Sequence, residues 1–193
     1  MILFLLNQYN KPDSLKMKNV TYLLLGIAVI FAAQSCMDNR HAKNYNDKTM
    51  TDDGGLSFIK NGIEGGLTEI KASGLAKTNS TNPKVISFAN MMITDHTGAD
   101  NELKKIEAEK MVDAHDTISM EHQKKITDLA LKTGASFDKA YMTMMVADHE
   151  KAVSLFHEAA GNTSNLIHDF SHKMLPVIQM HLDSAKAILA SLK

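Results

Sequence analysis

The chain has 193 residues, with 21 Lys and Arg against 22 Asp and Glu, so its formal net charge is −1. This balance argues against nucleic-acid binding, which normally requires a basic excess. A single cysteine excludes a disulfide framework and a cysteine-based zinc finger. With 44% hydrophobic and 22% charged residues, the composition is that of a globular protein rather than a disordered one.

The N-terminal region is predicted to be an export signal. An uncharged run over 20–33 follows Lys16 and Lys18 and is shorter than the roughly 20 residues of a membrane span. A basic start, a short apolar stretch and small residues are typical of a secretory signal peptide. The run ends at Ala33-Gln34-Ser35-Cys36, and this ending resembles a bacterial lipoprotein signal, in which the cysteine becomes the lipidated first residue. The alternative is an uncleaved N-terminal anchor, and both interpretations export the rest of the chain.

These features divide the chain into three parts. Residues 1–35 hold an over-long start and the signal peptide, since Met17 is the better first residue. Residues 36–53 are polar and are predicted to form a flexible tether, and residues 54–193 form the folded domain. We therefore expect a protein of the bacterial cell envelope, in the outer membrane or periplasm, attached to a membrane by lipid at Cys36. The sequence names no protein partner.

From Leu56 onward, apolar residues recur at intervals of three and four, with almost no strand signal. Asn82-Pro83 is a good helix start, Gly134 a helix stop, and Pro176 should kink the last helix or free a carbonyl. Helices are predicted over about 54–78, 83–112, 119–132, 136–161 and 164–192. Short loops connect the first two and the last two, whereas the middle link is long and holds the short helix. The predicted fold is an all-α, ferritin-like four-helix bundle, with an up-down bundle as the alternative.

A short internal repeat lies on two of these helices. Residues 88–103 are similar to 141–156 at a constant offset of 53. The identical pairs are Met91/Met144, Met92/Met145, Asp95/Asp148, His96/His149 and Ala99/Ala152. Two origins would account for the match: duplication of a gene segment, or the independent use of one helical packing arrangement on both helices.

Three histidines fall on core-facing stripes of different helices, namely His96, His149 and His181. A neutral imidazole that faces a bundle interior is a good ligand for iron, copper or zinc. Glu64 on the first helix lies level with His96, counted from the turn between them, and could add a carboxylate. The sequence therefore predicts a metal site from these four residues.

Asp95 and Asp148 each precede a core histidine by one position. At that spacing a helical side chain points about 100° away, so each Asp could orient a histidine of a neighbouring helix instead. The paired methionines one turn before His96 and His149 suit copper, although methionine is also a common core residue. The remaining histidines are expected to be solvated: His41, His115, His122, His157, His168 and His172.

The alternative is a structural or protein-interaction module whose histidines only pack. Core histidines often hydrogen-bond across a bundle without binding metal. His149 lies about 11 residues before the last turn and His181 about 17 after it, an offset of about 9 Å at 1.5 Å per residue. The chain contains no Glu-x-x-His, so a di-iron oxidase is not favoured.

A series of motifs follows in a fixed order over about 55–192. They are Phe58-Ile59-Lys60, Glu64-Gly65-Gly66-Leu67-Thr68-Glu69, Asn82-Pro83, Met91-Met92-Ile93-Thr94-Asp95-His96, Phe137-Asp138-Lys139-Ala140-Tyr141, Asp148-His149, Leu175-Pro176 and His181-Leu182. In this order they resemble the family called domain of unknown function 4142. The resemblance implies a ferritin-like bundle in the bacterial envelope and no established reaction.

The Met-Met-x-x-Asp-His pattern is also distantly similar to a second exported, His-rich helical family with Met-Met-x-x-His-His, sometimes linked to copper. Here Asp95 and Asp148 replace the first His of that pattern.

Overall fold

The computed structural model describes residues 51–192, which form five helices and contain no strand. The all-helical prediction is confirmed, and four of the five helices are long. The predicted signal peptide, the lipidation at Cys36 and most of the tether lie outside the described residues. None of the described helices is long and apolar enough to span a membrane. The helices are α1 (Asp53–Asn79), α2 (Pro83–Glu109), α3 (Met120–Ala130), α4 (Gly134–Ala159) and α5 (Asn165–Ser191).

Local side chains set where the helices begin. Asn82 caps α2 by accepting a hydrogen bond from the Lys84 amide at 3.0 Å, with Pro83 at the first helical position as predicted. Ser119 caps α3 through the His122 amide at 3.2 Å. Gly134, predicted to stop the short helix, instead begins α4 with a φ of 57°, a conformation that favours glycine. Helix α5 continues through Pro176.

Each long helix packs against two other long helices, so that the order of the four around the bundle is α1, α2, α5, α4. Contacts between α2 and α5 run in opposite directions along the two helices, from Asp95 with His181 to Glu102 with Lys173. Helices α1 and α5 therefore run one way, and α2 and α4 the other. The link over 110–133 must follow the length of the bundle, and its helix α3 packs against α1 and α4.

The core consists of two apolar clusters at different heights. One is centred on the rings of Phe58, Phe156 and Phe170, whose centroids are 4.9 to 6.2 Å apart. The other contains Tyr141, which stacks on Phe137 at 5.7 Å. On each long helix, a titratable residue on the core-facing side lies between the part in the first cluster and the part in the second. Together these four residues form a polar layer across the middle of the bundle: Glu69, His96, His149 and His181.

Candidate metal centre

The polar layer brings together the three histidines that the sequence singled out. His149 is 0% and His181 1% exposed, and His96 is mostly buried. Their ring centroids are 5.4 to 5.6 Å apart, and one ring nitrogen from each lies within 4.8 Å of the other two. A point about 2.8 Å or less from all three nitrogens therefore exists, and a metal–nitrogen bond of roughly 2.0–2.1 Å would require each nitrogen to move at most about 0.8 Å closer to it.

Glu69 of α1 contacts two of the imidazoles from the same carboxylate. Its Oε2 lies 3.0 Å from His96 Nε2, and its Oε1 lies 3.1 Å from His149 Nδ1. His149 Nδ1 also lies 3.0 Å from the Met145 carbonyl oxygen. These acceptors favour a proton on Nδ1 of His149, which leaves its Nε2 as the nitrogen with a lone pair.

Three buried ring nitrogens in this layer have no hydrogen-bond partner among the described residues. They are His96 Nε2, His149 Nε2 and His181 Nδ1. His96 Nε2 is close to Glu69 but is not aligned for a hydrogen bond. His181 donates from Nε2 to Asp95 Oδ2 at 3.0 Å, which leaves Nδ1 as the acceptor nitrogen. Each histidine thus keeps one nitrogen that could bind a metal.

The charged groups of the layer shift one another's pKa values. Burial alone would raise the pKa of Glu69, but the positive charges of His96 and His149 outweigh burial and hold that pKa well below its ordinary value. Burial lowers the pKa of His149, yet the Glu69 carboxylate beside it outweighs burial and raises it. Burial lowers the pKa of His181 more than the hydrogen bond to Asp95 raises it. The layer therefore contains an ionised carboxylate next to two of the imidazoles.

The structure does not bring Glu64 to the histidines. Its Oε1 lies 2.7 Å from His122 Nδ1 and accepts a hydrogen bond from the Ser119 amide at 2.9 Å, so it links α1 to α3. His122, expected to be solvated, has a side chain only 18% exposed. Its Nε2 lies 3.9 Å from Asp148 Oδ1. Asp95 contacts the core histidine His181 of a neighbouring helix, as expected, whereas Asp148 lies near His122 of α3 and not near a core histidine of another helix.

Glu69 was not predicted as a site residue from the sequence. The apolar residues of the first helix run through Leu67 and Ile70, which are only half-buried, whereas the buried face passes through Ile63, Gly66 and Glu69. Gly66 and Glu69 continue the three- and four-residue spacing. Glycine has no apolar side chain and Glu69 carries a carboxylate, so the apolar pattern does not mark either residue. A carboxylate at a core interval was the available signal.

A cavity of about 340 Å³ adjoins the histidine layer. Glu69, His96 and His181 line it at one end. Phe156 and Phe170 belong to its apolar lining. The centre is therefore next to a space large enough for a small molecule.

The model for a domain of unknown function, DUF4142, matches residues 40–188 of this chain. The chain belongs to the DUF4142 family. A solved structure, the crystal structure of a DUF305 fragment from Deinococcus radiodurans, is similar with a TM-score of 0.66 and 10% sequence identity. The similarity covers 74% of this chain and 99% of that one, and at such identity it concerns the fold alone. No protein with a curated description matches.

Outside the polar layer, this DUF4142 domain has a pair of neighbouring histidines on α5. His168 and His172 lie on the exposed side of α5, with ring centroids 4.4 Å apart. Exposed histidines at this spacing bind metal ions adventitiously, because both rings face solvent on one turn of a helix. The pair is therefore a source of background in any metal measurement on the domain.

Proposed function

We propose that this DUF4142 domain binds one transition-metal ion through His96, His149 and His181. The observation that carries the proposal is the convergence of three ring nitrogens within 4.8 Å, on rings that each hold one buried nitrogen without a hydrogen-bond partner in residues 51–192. Leaving a buried polar atom unpaired costs about 1–3 kcal/mol. A metal ion bound to the three nitrogens would remove that cost at a single point.

Glu69 takes the place that the sequence analysis gave to Glu64. Its carboxylate touches two of the three imidazoles and supplies the negative charge that a buried divalent cation requires. Three imidazoles suit iron, copper or zinc, and the Glu69 carboxylate would balance the charge through its contacts with His96 and His149 rather than occupy a coordination position. Asp95 supports the set from outside, because its contact with His181 orients that ring.

A structural polar layer is the second candidate function. It is favoured by one specific observation: each of the three histidines already has a carboxylate oxygen within 3.1 Å, from Glu69 or Asp95. In that case the layer would fix how the four helices pair without binding an ion. Substituting a histidine would then lower stability and leave metal content unchanged.

The ferritin-like topology and the envelope address are further parts of the proposal. The opposed helix pairs and the long link over 110–133 support a ferritin-like arrangement. The basic start, the apolar run over 20–33 and Cys36 support a lipoprotein of the bacterial envelope. The absence of Glu-x-x-His from the sequence speaks against a di-iron oxidase, so no reaction is proposed.

Metal analysis of the full chain, purified without a polyhistidine tag, tests the metal site. We expect about one iron, copper or zinc ion per chain, and a rise in thermal stability when the metal-free protein is reloaded. In His96→Ala and in His181→Ala, the metal content per chain should fall tenfold or more, while circular dichroism shows that each variant remains helical.

The matched control is the double variant His168→Ala/His172→Ala, which removes the exposed pair on α5. It should keep the full metal content. Folded wild-type protein that takes up none of the three metals would refute the proposal. Metal that is lost only from the control variant would assign binding to the exposed pair instead.

A further inference from the structure

We propose that the cavity beside the histidine layer binds a small organic molecule with an apolar body and one Lewis-basic donor atom, which completes the coordination of the metal. The inference rests on the proposed metal site and adds to it the chemical class of its ligand. The cavity of about 340 Å³ exceeds the roughly 150 Å³ of an engineered protein cavity that holds benzene. One or two fused or linked rings would fit.

The polar end of the cavity is the place for the donor atom. His96, His181 and Glu69 line it, and His181 is 1% exposed with Nδ1 unpartnered. Three protein nitrogens leave at least one position of a tetrahedral metal open for water or another ligand. Because the histidine layer borders the cavity, that open position would face the cavity.

The same end also offers a hydrogen-bond acceptor. Asp148 lines the cavity, and its side chain is 10% exposed. Lys125 Nζ and His122 Nε2 lie 3.7 and 3.9 Å from its Oδ1, too far for a hydrogen bond, so neither carboxylate oxygen has a hydrogen-bond partner among the described residues. A ligand that carries an N–H or O–H group close to its donor atom would satisfy one of these oxygens. Azoles combine both groups in one ring.

The apolar part of the lining selects the body of the ligand. Leu103, Phe156, Phe170 and Ile178 contribute hydrocarbon surface, and removing apolar ligand surface from water is favourable. Binding sites for small molecules share this combination of mostly apolar walls and a few placed polar groups.

Glycines in α1 hold the space open. Gly66 is buried and lines the cavity, and a Cβ at this position would meet no atom within 4 Å. Its neighbour Gly65 lines the same cavity with the same clearance. Glycine inside a helix costs about 1 kcal/mol relative to alanine. Larger residues would both stabilise α1 and fill the void, so the empty volume exists at the expense of stability.

Titration of the Co²⁺-loaded full chain with 4-phenylimidazole and with imidazole tests this inference. The d–d absorption of cobalt reports metal uptake, and it also changes when a probe replaces water at the open coordination position. The two probes share a donor nitrogen and an N–H, and only the first carries an apolar body. We expect 4-phenylimidazole to bind at least about tenfold more tightly.

Two variants fill the cavity from two neighbouring helices, Gly66→Leu in α1 and Ala152→Leu in α4. Either should abolish the preference for 4-phenylimidazole while retaining the cobalt spectrum. Gly74→Leu is the matched control, because Gly74 lies on the exposed side of α1 with no atom near its Cβ position. It should bind both probes like the wild type.

The outcomes separate this inference from the metal site beneath it. If Co²⁺ never gives a histidine-dependent spectrum, the metal site is refuted and the inference with it. If Co²⁺ binds but the two probes bind equally, the metal site stands and the ligand site is overturned. Unchanged preference in both filled variants would overturn it as well.

Discussion

Glu69 is the residue on which the charge balance of the polar layer depends. Its carboxylate contacts His96 and His149, whereas Glu64 on the same helix contacts His122. We therefore expect Glu69→Gln to weaken metal binding about 10–100-fold, as loss of a ligand's charged partner does. Glu64→Gln, the same chemical change five residues earlier, should leave the affinity unchanged.

Competition between each variant and a chelator of known affinity measures the difference. Equal affinities for Glu69→Gln and wild type would show that the carboxylate does not support the metal. If Glu64→Gln weakened metal binding as much as Glu69→Gln, the affinity would depend on the summed negative charge near the site and not on the contact of Glu69 with the imidazoles.

The direction of helical side chains explains why the histidines meet. Their positions were predictable, because each continues the three- and four-residue spacing of its helix. The offset of about 9 Å along the axes was misleading, since Cα–Cβ bonds tilt toward the helix N-terminus. His149 on α4 and His181 on α5 lie on antiparallel helices, so the two side chains tilt toward each other. Sequence position alone gives the height of the Cα atom and omits this tilt.

The same tilt accounts for the choice of carboxylate. His96 points toward the turn between α1 and α2, and side chains on α1 point away from that turn. A partner on α1 must therefore start closer to the turn than His96 does, as Glu69 does. Glu64, level with His96 by counting, is also about 140° further around α1 than Glu69 and faces α3.

At the scale of elements, the helix starts were predictable because their signals are local. Asn82-Pro83 and Ser119 act within three residues of themselves, and the structure places helix starts beside both. The end of α2 was less predictable. The helix stops at Glu109 rather than near 112, Met111 takes a φ of 54°, and the Glu107 carboxylate accepts a hydrogen bond from the Ala114 amide. That contact spans seven residues, beyond what local signals indicate.

Helix α3 depends on Glu64 for part of its attachment, and this attachment should depend on pH. Burial raises the pKa of Glu64, but hydrogen bonds from His122 and the Ser119 amide outweigh burial and lower it. A carboxyl with a lowered pKa in the folded state stabilises the protein above its unfolded pKa, about 4.5, and this contribution is lost as pH falls through the folded value.

Urea denaturation of wild type and Glu64→Gln at several pH values measures this contribution. We expect the wild type to have the higher free energy of unfolding at pH 7 and the difference to shrink progressively below about pH 4.5. Glu158→Gln, at an exposed position of α4, should show no such pH-dependent difference. A difference that stays constant down to pH 3 would contradict the role of the Glu64 carboxylate.

At the scale of the whole molecule, the folded domain follows an N-terminal region that we propose to hold an export signal over residues 1–35 and a lipidation site at Cys36. Cys36 is the only cysteine. If it is lipidated, cells that express the full chain should incorporate radiolabelled palmitate into the protein, and Cys36→Ser should abolish labelling. Ser35→Ala keeps a small residue before the cysteine and should label normally. Palmitate found in Cys36→Ser would refute the lipid attachment.

The polar layer has a mechanical consequence for a chain that cannot form a disulfide within itself. An ion held by His96, His149 and His181 would cross-link three helices at mid-height, with the first two ligands 53 positions apart in the chain and the last two 32 positions apart. By analogy with a disulfide, closing a loop of 53 residues restricts the unfolded chain by on the order of 4 kcal/mol. Unlike a disulfide, this cross-link would open to a chelator or to acid rather than to a reductant. The stability of the folded bundle would then depend on the supply of metal and not on the redox state of its surroundings.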